Sequence, residues 1–133
     1  MTSPCAKLLL DDNARTYRPG EVLAGQFSLE GVAADDVRAC ELSVLWHTEG
    51  KGDEDLSVHF FERLESHNGE SVDFHQPRRF STELPNSPLT YGGLIVKIAW
   101  CVRVRFFLMR GKELSLEIPF QLGAVPHPEP LKA

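Results

Sequence analysis

Between residues 94 and 108 the chain alternates without a break. Leu94, Val96, Ile98, Trp100, Val102, Val104, Phe106 and Leu108 occupy every second position, and Ile95, Lys97, Ala99, Cys101, Arg103, Arg105 and Phe107 fill the positions between. A period of two is the signature of a strand with one buried face. A helix crossing a membrane through the same run would carry Lys97, Arg103 and Arg105 into the bilayer, at about 2.5 to 3.5 kcal/mol for each central charge. Three such charges outweigh the gain from the apolar neighbours, so no transmembrane segment is expected. After Arg110-Gly111-Lys112, where glycine can supply a positive φ, the pattern resumes with Leu114, Leu116, Ile118 and Phe120 against Glu113, Ser115, Glu117 and Pro119. Two strands joined by a tight turn make a β-hairpin. The first arm, at about 3.3 Å per residue, approaches 50 Å. That length predicts a bend or bulge near Ala99 to Cys101, or different pairing partners at its two ends.

The remaining segments repeat this pattern. AKLLL is a short strand, followed by a polar connection in which Pro19-Gly20 favours a turn. EVLAGQFSLEG alternates Leu23, Gly25, Phe27 and Leu29 with polar or small residues and stops at Gly31. DVRACELSVLWHTEG places Cys40, Leu42, Val44 and Trp46 opposite Glu41, Ser43, Leu45 and His47. LSVHFFERL is expected to turn Leu56, Val58 and Phe60 inward, and ESVDFHQ to do the same with Val72 and Phe74. RRFSTELPNSP is an edge segment stopped by Pro85 and Pro88, which cannot donate to a ladder. No helical period is sustained over three turns. Seven or eight short strands, each with one apolar face, imply an all-β fold: two antiparallel sheets packed face to face as an immunoglobulin-like sandwich.

With 133 residues the chain suits one domain, expected over 1–123, that buries roughly two thirds of its unfolded surface. A tail over 124–133, with proline at 126, 128 and 130, is expected to be extended. The opening MTSPCAKLLLDDN has a three-leucine apolar run where a secretory signal needs about seven residues, so no signal peptide is expected. Three cysteines, Cys5, Cys40 and Cys101, with no CxxC spacing suggest neither a disulfide framework nor a zinc site, and a reducing cytoplasm is the expected compartment. A formal net charge of -5 argues against nucleic acid as a partner, since that would require a basic face. Arg78-Arg79 and Arg103 with Arg105 are local basic patches.

Two segments together resemble the arrestin-like β-sandwich domain found in arrestins, their α-arrestin relatives and bacterial sporulation-control proteins. YRPGEVLAG, Tyr17 to Gly25, is similar to the family's Tyr-x-Pro-Gly-Glu-x-Val-x-Gly lead-in to its second strand. LPNSPLTYGGLIVKIAWCVRVRF is similar to its proline-bearing turn, aromatic-glycine pair and long strand that alternates Ile, aromatic and Val. VRACELSVLWHTEGKG between them fits the third strand, and the likeness covers about residues 6–122. It implies a module that binds other proteins and does no catalysis. Those families pair two sandwiches, whereas these residues fill one, so functions of an interdomain groove do not carry over unless two chains associate. There is no PPxY peptide and no lysine pair resembling a phosphate sensor. The same positions have framework roles on physical grounds: Pro19 presets φ, Gly20 allows a sharp reversal, and Gly25 lets a neighbouring backbone or Trp46 approach.

Candidate chemistry is sparse. If the acidic loop over 49–55 closes a hairpin, His47 and His59 lie on adjacent strands, both pointing away from the core, beneath Asp53 and Asp55; such a set could hold a divalent metal or a small ligand. Its spacing matches no recognised metal signature, and an acidic hairpin tip is ordinary solvated surface. Arg103 beside Cys101 could lower the thiol pKa, against the alternative of a covered small residue on a sheet face. No nucleophile elbow or Ser-His-Asp set is evident, and no cofactor is expected. What remains is surface. Lys97, Arg103 and Arg105 form a basic stripe with Ile95 and Phe107 at its ends, a candidate contact face for a partner protein, a second copy of the chain or an anionic membrane. Alternatively the stripe is neutralised across strands by Glu113 and Glu117. A homodimer is among the expectations, and the identity of any other partner protein is left open.

Overall fold

The computed structural model describes residues 3–50, 54–66, 72–94 and 96–123. Among these the strands are β1 (Cys5–Leu10), the two-residue β2 (Thr16–Tyr17), β3 (Val22–Glu30), β4 (Val37–Gly50), β5 (Leu56–Glu65), β6 (Arg78–Glu83), the two-residue β7 (Tyr91–Gly92), β8 (Val96–Leu108) and β9 (Glu113–Leu122). They form two sheets, a small one in the order β1-β3-β6 and a large one in the order β2-β9-β8-β4-β5, with β7 paired to β8. All pairings are antiparallel except β2 with β9. Helical structure among the described residues is limited to two three-residue turns, Ala34–Asp36 and Met109–Gly111. The expected β-sandwich is the observed fold.

The hairpin forms as the alternation predicts, with Arg110 and Gly111 both at positive φ in its turn. Trp100, Val102, Val104, Phe106 and Leu108 of β8 are buried, as are Leu23, Phe27 and Leu29 of β3 and Cys40, Leu42 and Val44 of β4, all within one core cluster. Fully burying each large side chain contributes about 1.5–3 kcal/mol. Phe27 of the small sheet lies 6.3 Å from both Phe80 and Phe106 and 6.4 Å from Phe74, so one ring joins both layers. Trp100 satisfies its indole N–H by donating to the Pro88 carbonyl at 2.8 Å, which lets a polar aromatic lie inside the core. At the Tyr-Arg-Pro-Gly-Glu segment, Tyr17 packs edge-on to Phe120, Gly20 has φ +86, and Leu84 brackets the turn through hydrogen bonds with Gly20 and Glu21.

Of the two alternatives expected for the long β8, different partners at its two ends is the one observed: its pairing with β4 runs without a shift through Ala99 to Cys101, while its other edge meets β7 at Lys97 and Ile98 and then β9 from Trp100. Three expectations are corrected. Leu94 and Val96, expected inside, are 103% and 40% exposed: Leu94 lies in the bend before β8, and Val96 is the first residue of that strand. The described part of the expected 70–76 strand is a turn, in which the Asp73 carboxylate accepts the His75 backbone N–H and so competes with ladder formation, yet Phe74 still reaches the core.

The third correction concerns β5. Val44 pairs with Phe60 while Leu45 pairs with Val58, so His59 is an extra residue, a β-bulge. Because side-chain direction has a period of two, one extra residue reverses every position before it. Phe60 and Leu64 face the core, whereas Leu56 and Val58 face outward, 56% and 46% exposed, with Phe61 on the same outer face. The 124–133 tail lies outside the described residues.

A Cβ built on Gly25 would lie 2.3 Å from the Leu9 carbonyl oxygen and 2.9 Å from the Phe80 ring, so of the two expected neighbours it is the adjacent backbone, at Leu9, that makes the close approach, joined by Phe80. Gly25→Ala is therefore expected to destabilise the protein by about 1–3 kcal/mol, the range for forced overpacking, read as a lower midpoint in urea unfolding with the m-value unchanged.

Candidate functional site

The face of the large sheet opposite the core falls into two regions, set by which residues the register brings side by side. One region is charged. Arg103 of β8 donates to Glu117 of β9 at 2.7 Å, and Arg105 donates to Glu113 at 2.6 Å and lies 3.9 Å from Glu41 of β4. Arg63 of β5 donates to Glu41 at 2.5 Å and also pairs with Glu65. The result is one chain of alternating charge, Glu65-Arg63-Glu41-Arg105-Glu113, running across four strands. Phe107 lies under it, with the guanidinium of Arg105 5.0 Å and that of Arg63 5.7 Å from its ring centroid. Arg103 and Arg105 of the basic stripe are thus neutralised across strands, the alternative the alternation had offered. Lys97 is in register with Glu49, and Ile95 lies outside the described residues.

The second region is apolar. Leu45 lies between Val58 and Cys101, and Cys101 is in turn opposite Pro119, which gives a row of apolar side chains across four strands. The next rows add Leu56 beside His47 and Ala99 on one side and Phe61 beside Ser43 on the other. Leu45 and Cys101 are buried although they face away from the core, whereas Leu56, Val58 and Phe61 remain exposed. The outward turn of Leu56 and Val58 is not legible in the sequence, because the bulge behind it shows there only as the adjacent pair Phe60-Phe61, whereas Phe61 lies outward as alternation with Phe60 implies.

The two histidines of the candidate metal set are not brought together. His47 remains on the outer face, with Nε2 2.9 Å from Glu49 Oε1. His59, expected on the same face, is turned by the bulge to the opposite one: its ring lies edge-on to Trp100 at 6.1 Å, and Nε2 is 2.8 Å from the Glu83 carbonyl oxygen of β6. A carbonyl only accepts, so Nε2 carries the proton, and His59 ties the β5 edge of one sheet to the β6 edge of the other. Asp55 closes the hairpin through its backbone, its N–H donating to the Thr48 hydroxyl. Asp53 lies outside the described residues. Among the described residues no group of three or more His, Cys, Asp or Glu side chains is placed to hold a metal ion.

Cys101 is likewise not activated. Burial pushes its thiol up to about 11, with Glu117 adding to the shift and Arg103 opposing it more weakly. Cys40, inside the core, is pushed to about 12 by the same desolvation. Arg105, by contrast, holds the Glu113 carboxyl below its ordinary 4.5 through their hydrogen bond, and Arg79 does the same to Asp11 across β6 and the loop after β1. Among the described residues no helix is long and apolar enough to cross a membrane.

Comparison with solved structures finds the same architecture elsewhere. The chain is similar to the crystal structure of Spo0M, a sporulation control protein from Bacillus subtilis, at a TM-score of 0.65 and 17% identity over 93% of this chain and 51% of that one. It thus spans about half the length of the structure it matches. The shared feature is the fold, an arrestin-like all-β sandwich. No protein-family model matches the chain, and no curated protein matches it.

Two measurements follow from the thiol and carboxylate environments. With a thiol-reactive chromophore at about pH 8, one cysteine of three, the exposed Cys5, is expected to react in the native protein and all three after denaturation. A depressed carboxylate favours the fold above its unfolded pKa and loses that contribution as pH falls through the folded value. Arg105→Gln is therefore expected to lower stability near neutrality and to leave it closer to wild type once the carboxylates are protonated, as read by urea unfolding at both pH values.

Proposed function

We propose that this chain is a non-catalytic protein-interaction module that works by presenting the outer face of its large sheet to a protein partner. One observation carries the reading: Leu56, Val58 and Phe61 stay exposed beside the covered Leu45 and Cys101, on a sheet whose other face already supplies the core. The inner face has no need of these residues, and a solvated sheet face is ordinarily polar. An apolar centre bordered by charge is the composition of a contact surface, where the core of the patch excludes water and the rim sets orientation. The arrestin-like fold supports the same reading, as does the framework role of the Tyr-Arg-Pro-Gly-Glu turn, which leaves function to the surface.

The test substitutes the exposed ring at the border of the patch. Phe61→Glu changes an exposed residue, so its thermal midpoint is expected within about 3 °C of wild type. Cross-linking mass spectrometry of the protein in its native extract is expected to place partner contacts on β4, β5 and β8 in the wild type and to lose them in the variant. Contacts scattered over the molecule, or unaffected by Phe61→Glu, would sink the proposal.

A further inference from the structure

The occupant of this face is specified by the arrangement of its charges. β4 and β8 are neighbours at the centre of the large sheet, and their outward residues pair row by row: Glu41 with Arg105, Ser43 with Arg103, Leu45 with Cys101, His47 with Ala99, and Glu49 with Lys97. In these rows acid lies only on β4 and the arginines and lysine only on β8, with His47 the one titratable base on β4, beside Glu49. A two-fold axis parallel to the strands, midway between β4 and β8, would set β4 of one copy over β8 of the other at the same height along the strand. Glu41 would then face Arg105 of the second copy, Glu49 would face Lys97, and the apolar row at Leu45 and Cys101 would meet its own reverse. At its two central strands such a face is self-complementary in charge and in hydrophobicity, which is what a two-fold interface requires; over the flanking strands Val58 would meet Pro119 of the second copy and Phe61 would meet Glu117.

From this geometry we infer that the chain forms a two-fold homodimer through the outer faces of its large sheets. The available area is sufficient. Four strands about 4.8 Å apart and five rows about 6.7 Å apart make a face of about 600 Å² on each copy, or about 1,200 Å² in total, at the lower bound of specific interfaces. The aligned packing of two sheets, face to face at about 30°, accommodates their twist. The competing route, strand addition at the β5 edge, is opposed by the bulge at His59, whose ring is held to Glu83 of β6; bulged edges pair poorly with a further strand.

The inference rests on the reading of the chain as an interaction module and fails separately from it. Light scattering over a concentration series measures the mass of the wild type, of Glu41→Arg, of Arg105→Glu, and of an equimolar mixture of the two variants. The wild type is expected to be a dimer. Each reversal sets like charges across the axis twice per dimer and is expected to weaken association by about a hundredfold. The mixture is expected to restore it, because a copy with two bases in that row then meets a copy with two acids. If either reversal impairs folding, Lys97→Glu makes the same change opposite Glu49 at an exposed position. A wild type that is monomeric at every concentration overturns the inference, and so do single variants that associate as tightly as the wild type. A monomer whose partner contacts still depend on Phe61 would remove self-association alone and leave the interaction module standing.

Discussion

The contact between Phe27 and the rings of Phe74, Phe80 and Phe106 is what makes two sheets into one protein. Neither sheet has an independent reason to persist, since a few strands with one apolar face need a second layer to exclude water from it. Phe27 comes from the small sheet and Phe106 from the large one, while Phe80 and Phe74 close the side on which β6 approaches β5. Each ring buries area that no single-sheet arrangement could shelter. Gly25, one turn of the alternation before Phe27, leaves room for Leu9 and Phe80 to approach it.

With that layer closed, the inner face of the large sheet is accounted for, and the outer face becomes the informative surface. Its charged region is internally balanced, so it offers no net field to steer a polyanion, and the alternating ladder is consistent with ordinary solvation of a sheet. Its apolar region has no such explanation. A central residue such as Leu45 on a solvent-facing sheet side is covered only by what stands next to it, and its neighbours Val58 and Phe61 are themselves open to solvent. The proposals for this surface rest on that contrast.

His59 shows how one inserted residue redistributes function. The bulge places an imidazole between the sheet edges, where it links β5 to Glu83 and packs on Trp100, and it separates His47 from the histidine expected to stand beside it. The same insertion turns Leu56 and Val58 from core to surface. A candidate metal pair and a candidate contact patch are thus decided together, by a single register shift between Val44 and Leu45.

Sequence alone determined the fold class and the identity of most core positions, because a period of two with one apolar face can be satisfied only by a half-buried strand. Leu42, Val44, Val102, Val104 and Phe106 lie where alternation puts them, and Gly20 adopts the positive φ that its turn requires. The hairpin from β8 to β9 and the cross-strand partners of Arg103 and Arg105 were legible for the same reason, since in an uninterrupted pair the register follows from the turn. The bulge, the turn at Asp73, the exposure of Leu94 and the elevated thiol of Cys101 were not. The turn at Asp73 is local, a carboxylate that captures the N–H two residues on in place of a ladder, whereas the others depend on what another segment supplies: a partner strand one residue shorter, or neighbours that cover a side chain or leave it open. These are properties of juxtaposition, and only the tertiary structure decided them.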